Sequence, residues 1–371
     1  MNGNPATDFD RLFRNRDKFI AAVQTGTFVR LKWIKFKVID GCNIKCVMCN
    51  HWRRDEYLRS FLTTERLMNL GEELAELGTE MVSWSGGEPT LRRDLPEIIG
   101  RYRDLGIHST MVSNGTRMTE EFAARLVAAG LQEVALSLES SDAATHDKVV
   151  GHEGAWQKLT DGVRHLRRDH GPTPEIIFTT VLSSINMNRD LVGLVPLAAS
   201  LDVKRVRMDP VYVGHLTEAE RSLLPTPEQI ARFENEILPE MLKTGKKLGI
   251  PVSVDGLERD EFGMTEEELA PRISADGKHS KGYYETHTCY LPWYHCTVNW
   301  KGDVLACCHI GGEGILGNIG NMSLIDVLHS DQARDFRLSL TSAATLPNSC
   351  RECVMSISMN QKIDRVLYGV S

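Results

Sequence analysis

Hydrophobic and polar positions along the first 210 residues follow two periods, one helical and one extended. Apolar residues at helical spacing across residues 8–23 predict an amphipathic helix ahead of the core. Across residues 34–39 apolar side chains alternate with lysines, which is typical of a strand. Five more strand patterns follow, at residues 81–84, 107–112, 133–138, 175–182 and 203–208. Helical patterns separate the strands, at residues 63–77, 94–105, 119–129, 142–150, 155–169 and 189–200.

Strands that alternate with helices over short connections imply a parallel sheet with right-handed crossovers. We therefore predict an α/β fold, a partial (β/α)6 barrel whose site lies at the carboxyl ends of the strands. A helical pattern at residues 226–248 and a short strand at Val252 and Val254 follow the barrel. Acidic runs at residues 258–261 and 265–268 are interpreted as a solvated face.

Four regions result from these patterns. They are an N-terminal helical extension (residues 1–30), the barrel (31–212), a barrel-closing helical segment with a linker (213–285) and a small C-terminal α+β domain (286–371).

Composition limits the classes of function. The chain has 371 residues, 42% of them hydrophobic, and a formal net charge of −7. An acidic balance argues against a nucleic-acid partner, which favours a basic face. The first thirty residues carry charges throughout, and no apolar run reaches membrane-spanning length, so we expect no export signal and no membrane partner. The predicted location is cytoplasmic.

Nine cysteines point towards metal ligation, because disulfides are rare in the cytoplasm. Cys42, Cys46 and Cys49 form a C-x3-C-x2-C pattern directly after the first strand. A four-iron cluster needs four outer ligands, so three thiolates leave one iron open for chemistry. The alternatives are a zinc knuckle or buried core cysteines.

This spacing resembles the cluster motif of the radical SAM enzymes, in which S-adenosylmethionine (SAM) chelates the open iron. The segment Gly86-Gly87-Glu88-Pro89, after the second strand, resembles the same family's second motif. The resemblance implies a [4Fe–4S] cluster, SAM and a 5′-deoxyadenosyl radical. The family motif commonly has an aromatic residue before the third cysteine, where this chain has Met48. The predicted cofactor contacts are Met48, Gly86, Gly87, Glu88, Pro89, Ser113, Asn114, Ser137 and Glu139; for the last four the alternative is plain turn chemistry.

A second group of cysteines lies near the C-terminus, where residues 296–300 and 304–308 predict a hairpin around Lys301-Gly302-Asp303. This region resembles the SPASM/twitch extension of radical SAM enzymes. The resemblance implies one auxiliary [4Fe–4S] cluster with four protein ligands, namely Cys289, Cys307, Cys350 and Cys353. A zinc site is the alternative. Cys296 and Cys308 remain, either as hydrogen-atom donors to a substrate radical or as packed small side chains.

Function follows from these groups only in outline. We expect a polar small-molecule substrate, such as an aminosugar or aminocyclitol, oxidised with electron transfer through the auxiliary cluster. Arg207 and Asp209 at the end of the sixth strand are candidates for a base or substrate contact, or for a structural ion pair. A flavodoxin- or ferredoxin-type donor is expected to supply the electron.

Three alternatives stay open at this point. The first is a maturase that modifies a ribosomal peptide, although residues 1–30 are shorter than the usual peptide-recognition domain. The second is a sugar epimerase that uses a cysteine hydrogen donor. The third is a non-catalytic iron–sulfur or zinc scaffold.

Overall fold

The computed structural model describes residues 15–53, 62–168, 173–212, 216–254, 273–280, 282–351, 353 and 356–369. The start of the predicted N-terminal helix and both acidic runs lie outside these residues. No helix in the described part of the chain is long and apolar enough to span a bilayer.

The described strands form one sheet in the order β10-β9-β8-β1-β2-β3-β4-β5-β6-β7. Strands β1 to β7 are parallel neighbours in chain order, as expected for an open barrel. The bounds of β1 to β7 lie within two residues of the predicted strands. The described strands are β1 Trp33–Lys37, β2 Met81–Ser85, β3 His108–Ser113, β4 Glu133–Ser137, β5 Glu175–Leu182, β6 Arg205–Pro210, β7 Val252–Val254, β8 His295–Val298, β9 Asp303–Leu305 and β10 Ile315–Asn318.

Helices connect the strands and cover one face of the sheet. Thr63 caps the helix after the cysteine loop, its hydroxyl accepting a bond from the Arg66 backbone, as its position before an acidic first turn predicts. The helices are α1 Arg16–Thr25, α2 Thr64–Glu76, α3 Leu95–Asp104, α4 Glu120–Ala129, α5 Ala143–Val150, α6 Ala155–Arg167, α7 Leu194–Ser200, α8 Pro227–Arg232, α9 Leu238–Leu248, α10 Tyr283–Thr286, α11 Leu324–His329, α12 Asp331–Ser339, α13 Asn348–Arg351 and α14 Ile357–Tyr368.

The two faces of the sheet differ in chemistry. On the helix-covered face Phe36 stacks on Trp84, which packs edge-on against Tyr102 of α3. The other face carries Lys35 and Lys37, both half-buried, which alternate with the core residues of β1. Because successive strand residues point to opposite faces, this polar face is the inside of the barrel.

The C-terminal hairpin is continuous with the sheet of the barrel. Strand β8 pairs parallel with β1, placing Cys296 opposite Ile34 and Thr297 opposite Lys35. Strand β9 pairs antiparallel with β8, and β10 with β9. The hairpin therefore extends the barrel sheet beyond β1.

Helix α1, in the predicted N-terminal extension, packs against the C-terminal part of the fold. Phe19 packs against Tyr290, and the indole of Trp293 donates to the Ala22 carbonyl at 3.0 Å. These residues share an apolar cluster with Leu346 and Ile363, separate from the main core.

Candidate functional site

The first cysteine loop is held by contacts that are not metal ligands. The backbone N–H groups of Lys45 and Val47 donate to Val150 and Val149, at 3.1 and 2.9 Å, at the end of α5. The Trp52 indole donates to the Cys46 carbonyl at 3.0 Å. These bonds fix the backbone of the loop independently of any bound group.

The two ends of this loop are joined by a side-chain pair. Asp40, which is buried, precedes Cys42, and its carboxylate lies 2.9 Å from Nδ1 of His51, which follows Cys49. The sequence pattern did not single out this pair, because a carboxylate and an imidazole eleven residues apart carry no motif.

The thiols of Cys42, Cys46 and Cys49 are close enough to interact electrostatically. Burial raises the pKa of Cys42 to about 11, with smaller contributions from Glu88 and Cys49. Burial also raises the pKa of Cys46 well above its usual range. Buried thiols favour the neutral form, and a metal must supply the positive charge that holds thiolates here. Met48 lies half-buried in the same loop.

The two glycines of the second motif are required by the chain itself. Gly86 has φ +135°, and a Cβ there would collide with the carbonyl oxygen of Ile39; a Cβ at Gly87 would collide with those of Asp40 and Gly41. The backbone of Gly87 donates to Ile39 at 2.8 Å. We expected these glycines to admit SAM, whereas the observed close approach is to the cysteine loop.

Glu88 is the centre of a buried hydrogen-bond network. Its Oε1 accepts bonds from the Thr90 backbone, the Thr90 hydroxyl and the Ser113 hydroxyl, at 3.0, 2.6 and 2.8 Å. Its Oε2 accepts a bond from the Asn114 backbone at 2.8 Å. Burial raises the pKa of Glu88, and these bonds oppose the rise. Glu88 therefore ties the ends of β2 and β3 together, and Pro89 begins the buried turn that follows.

Ser113 and Asn114 are both engaged in hydrogen bonds within the protein, and their contact with SAM stays a prediction. The Ser113 hydroxyl donates to Glu88 and accepts from the Gly115 backbone at 3.0 Å. The Asn114 amide lies 3.7 Å from the sulfur of Cys42 and donates to Asn43 at 3.0 Å. Asn114 thus sits against a cluster cysteine.

Glu139, at the end of β4, is buried and faces the cysteine loop and the barrel. Its carboxylate accepts a bond from the Val181 backbone at 2.8 Å, and its own N–H donates to His146 at 3.1 Å. Burial raises the pKa of Glu139 to about 8, opposed by the Val181 bond and assisted by Asp209. Glu139 also raises the pKa of Cys46, so it lies beside the first thiol group. Ser137, two residues earlier, is half-buried on β4.

Arg207 and Asp209 form an ion pair on the inner face of β6, with Nε and Oδ2 3.1 Å apart. Their side chains remain 38% and 31% exposed, so the pair stays open to a ligand in the barrel. The structural ion pair that the sequence left open is the arrangement observed.

Cys296 is fully buried, opposite Ile34 on the helix-covered face, and packs in the main core. Of the two roles that the sequence left open, this position favours the packed small side chain over the hydrogen-atom donor.

Cys308 lies at the mouth of the barrel. Lys37 donates to its carbonyl at 3.2 Å. Burial opposes ionisation, but His309, Lys35 and Lys37 together lower the pKa of this thiol. Cys308 is half-buried, and its role as a hydrogen-atom donor stays a prediction.

The other C-terminal cysteines pack around one apolar cluster. Cys289, Cys307, Cys350 and Cys353 all border the cluster that contains Tyr284 and Trp293. Cys289 interacts electrostatically with Cys307 and Cys350, and burial raises the pKa of Cys350 to about 12.

The chemistry of both groups suits iron–sulfur ligation. None of the nine cysteines, all of which lie in the described part of the chain, forms a disulfide. Within the described ranges, no three His, Cys, Asp or Glu side chains are grouped as ligands of a single metal ion. Buried thiols in apolar surroundings, with N–H groups directed at sulfur, fit the protein shell of a [4Fe–4S] cluster.

Comparison with known proteins identifies the class. Residues 36–192 match the model of the radical SAM superfamily, and residues 289–354 match that of SPASM, an iron–sulfur cluster-binding domain. The chain therefore contains a radical SAM domain and a C-terminal SPASM domain, as the cysteine and Gly-Gly-Glu-Pro motifs predicted. The radical SAM domain implies a [4Fe–4S] cluster and SAM as cofactors, and the SPASM domain implies auxiliary iron–sulfur clusters.

Among sequence relatives, the PqqA peptide cyclase of Xanthomonas oryzae pv. oryzae (strain MAFF 311018) is 26% identical over 327 residues. The match covers 86% of this chain and 79% of the relative. An AdoMet-dependent heme synthase of Methanosarcina barkeri (strain Fusaro / DSM 804) is 33% identical over 139 residues, 38% of this chain and 40% of the relative.

Solved structures confirm the α/β fold. Streptococcus suis SuiB bound to S-adenosylmethionine superposes with a TM-score of 0.66 at 15% identity, covering 89% of this chain and 73% of SuiB. The protein anSMEcpe with bound AdoMet gives a TM-score of 0.60 at 18% identity, covering 87% of this chain and 86% of the other.

Proposed function

We propose that this chain is a radical SAM enzyme that modifies a peptide. The observation that carries the proposal is the match to a PqqA peptide cyclase, which runs through both cysteine regions and covers 86% of the chain. SuiB bound to its precursor peptide SuiA has the same fold, with a TM-score of 0.65 at 16% identity. This substrate class replaces the aminosugar or aminocyclitol that we expected.

The inner face of the barrel supplies the groups for holding such a substrate. Lys35 and Lys37 on β1 face the Arg207–Asp209 pair on β6 across a polar interior. A peptide bound there presents amides and side-chain charges that these groups can pair with. The ion pair can exchange partners with the substrate because both its members are partly exposed.

Both candidate cluster regions border this interior. Glu139 and Asp209 interact near the first cysteine loop, and Lys37 contacts the segment that carries Cys307 and Cys308. When bound, the first cluster supplies from SAM a radical that removes a hydrogen atom from a substrate C–H bond. We propose that Cys289, Cys307, Cys350 and Cys353 would hold one auxiliary cluster, which would supply the acceptor for the unpaired electron left on the substrate. With loss of a proton from the substrate, the expected outcome is a net oxidation by two hydrogens.

Two of the remaining alternatives are less well supported. A cysteine-dependent epimerase could use only Cys308, because Cys296 is buried on the other face of the sheet. A non-catalytic scaffold would not need the close fit between Gly87 and the cysteine loop, which holds three thiols and no fourth.

The substrate class is tested with anaerobically reconstituted enzyme, SAM and a reductant. One reaction receives a pool of synthetic peptides of random sequence, and a second receives a pool of aminosugars and aminocyclitols. We expect the peptide pool alone to raise 5′-deoxyadenosine release above the substrate-free background, with peptides that have lost two hydrogen atoms found by mass spectrometry.

The control is the Cys42→Ala/Cys46→Ala/Cys49→Ala variant, which should release no 5′-deoxyadenosine with either pool. Stimulation by the sugar pool alone, or by neither pool, would contradict the proposed substrate class.

A further inference from the structure

A buried polar network surrounds the sulfur of Cys289. Asn360 on α14 is fully buried, and its Nδ2 lies 4.0 Å from Cys289 Sγ and 2.8 Å from the Tyr284 hydroxyl oxygen. Tyr284, on α10, is also buried. Both residues lie outside residues 289–354, which match the SPASM model.

The orientation of the Asn360 amide is fixed by the main chain. Its Oδ1 accepts a bond from the Tyr290 backbone N–H at 2.9 Å. The amide nitrogen must then point the other way, with one N–H on the Tyr284 oxygen and one on the sulfur. The Tyr284 oxygen accepts from Asn360, and the Tyr284 side chain is also hydrogen-bonded to Cys289, to which its O–H donates.

The sulfur of Cys289 thus accepts hydrogen bonds from three donors in an apolar region. These donors are the Leu291 backbone and the side chains of Asn360 and Tyr284. Two of the three donors are side chains that no metal-binding motif requires. Burying an asparagine costs free energy unless its polar atoms are hydrogen-bonded. The bonds of Asn360 go to Cys289 itself, to Tyr284 and to the backbone of Tyr290.

We propose that Asn360 and Tyr284 are positioning residues that raise the reduction potential of the auxiliary cluster by hydrogen-bonding to the thiolate of Cys289. Reduction adds negative charge to a cluster and its sulfurs, and N–H and O–H donors stabilise that charge. The low dielectric of the surrounding cluster of Tyr290, Trp293 and Leu346 strengthens each bond. A raised potential favours acceptance of an electron from a substrate radical, so this inference refines the electron-accepting role proposed above.

A purely structural role for the network makes a different prediction. If Asn360 only fastens α14 to the Tyr290 backbone, the loss of the Tyr284 hydroxyl would change stability and leave the cluster potential where it was. The two roles are therefore separated by a redox measurement and not by activity.

The test uses the full-length chain carrying Cys42→Ala, Cys46→Ala and Cys49→Ala, so that only the auxiliary cluster is reconstituted. Its midpoint potential is measured by redox titration followed by electron paramagnetic resonance. We expect Tyr284→Phe to shift the midpoint to a more negative value, and Asn360→Ala to shift it further, because that change removes one donor directly and releases the Tyr284 hydroxyl.

Tyr290→Phe is the matched control. Tyr290 is a buried tyrosine of the same apolar cluster, but its hydroxyl donates to Asp364, at 2.6 Å, instead of to a cysteine. The midpoint potential of the auxiliary cluster in Tyr290→Phe should equal that in the parent chain without this change. If the Asn360→Ala variant loses its iron, the midpoint potential of the Tyr284→Phe variant decides the test, because that change removes only one oxygen atom.

An unchanged midpoint in Tyr284→Phe at full iron content would overturn the proposal. So would the same shift in Tyr290→Phe. None of these readings depends on a substrate, so the result stands apart from the test of peptide modification.

Discussion

Gly87→Ala is expected to abolish iron binding at the first cysteine loop. An alanine Cβ at this position would overlap the carbonyl oxygens of Asp40 and Gly41, and both belong to the rigid backbone that leads into Cys42. The loop must move to make room, which breaks the hydrogen bond from the Gly87 backbone to Ile39 and displaces the thiols. Iron in the reconstituted protein should fall from about eight to about four per chain.

Gly100→Ala is the control for this change. Gly100 lies within α3, where an added Cβ meets no atom within 4 Å. Alanine there should keep the full iron content and stabilise the helix by about 1 kcal/mol. Full iron content in Gly87→Ala would show that the contact with the cysteine loop is dispensable.

Glu88→Ala is expected to lower the free energy of unfolding of the apoprotein by about 4 kcal/mol. Four donors bond to this buried carboxylate, and the two backbone N–H groups among them, of Thr90 and Asn114, cannot reorient. Each buried donor left without a partner costs about 1–3 kcal/mol. The change is measured as the shift of the urea unfolding midpoint, followed by tryptophan fluorescence.

Two comparisons isolate the cause. Glu88→Gln keeps one acceptor oxygen and should lose less than half as much stability. Glu72→Ala removes an exposed carboxylate paired with Arg101 and should cost no more than about 1 kcal/mol, as is usual for a surface ion pair. Equal losses in Glu88→Ala and Glu72→Ala would show that the buried network contributes nothing.

The strands and helices of the barrel were predictable because their patterns are local. Period-two and helical spacings fix most barrel elements within about two residues, and the cysteine spacing marks the first site without any knowledge of contacts. The exception is the helix predicted over residues 189–200, where α7 begins at Leu194 after a 3-10 turn at Arg189–Gly193. The cofactor class followed in the same way, since both motifs are short and stand at strand ends.

Long-range pairing was not predictable from these patterns. Strand β8 joins β1 across more than 250 residues, and this register decides that Cys296 faces the core. A shift by one residue would have turned the same thiol towards the barrel. The sequence therefore left its role open between donor and core residue.

The roles of individual polar residues depended on partners that no motif names. The Gly-Gly-Glu-Pro segment marks a predicted cofactor contact, but no pattern indicated that Glu88 also bonds Ser113 and Asn114. Asn360 carries no sequence signal, because its partners Tyr284 and Cys289 lie more than seventy residues away. Such residues are found only once the helices are packed.

Iron and acid-labile sulfide, counted in anaerobically reconstituted protein, test the assignment of two clusters most directly. Wild type should contain about eight irons, and about four should remain when Cys42, Cys46 and Cys49 are all replaced by alanine. Replacing Cys289, Cys307, Cys350 and Cys353 instead should also leave about four. About four irons in the wild type, near none in the first variant and zinc bound at the C-terminal cysteines would contradict the auxiliary cluster and the electron transfer assigned to it.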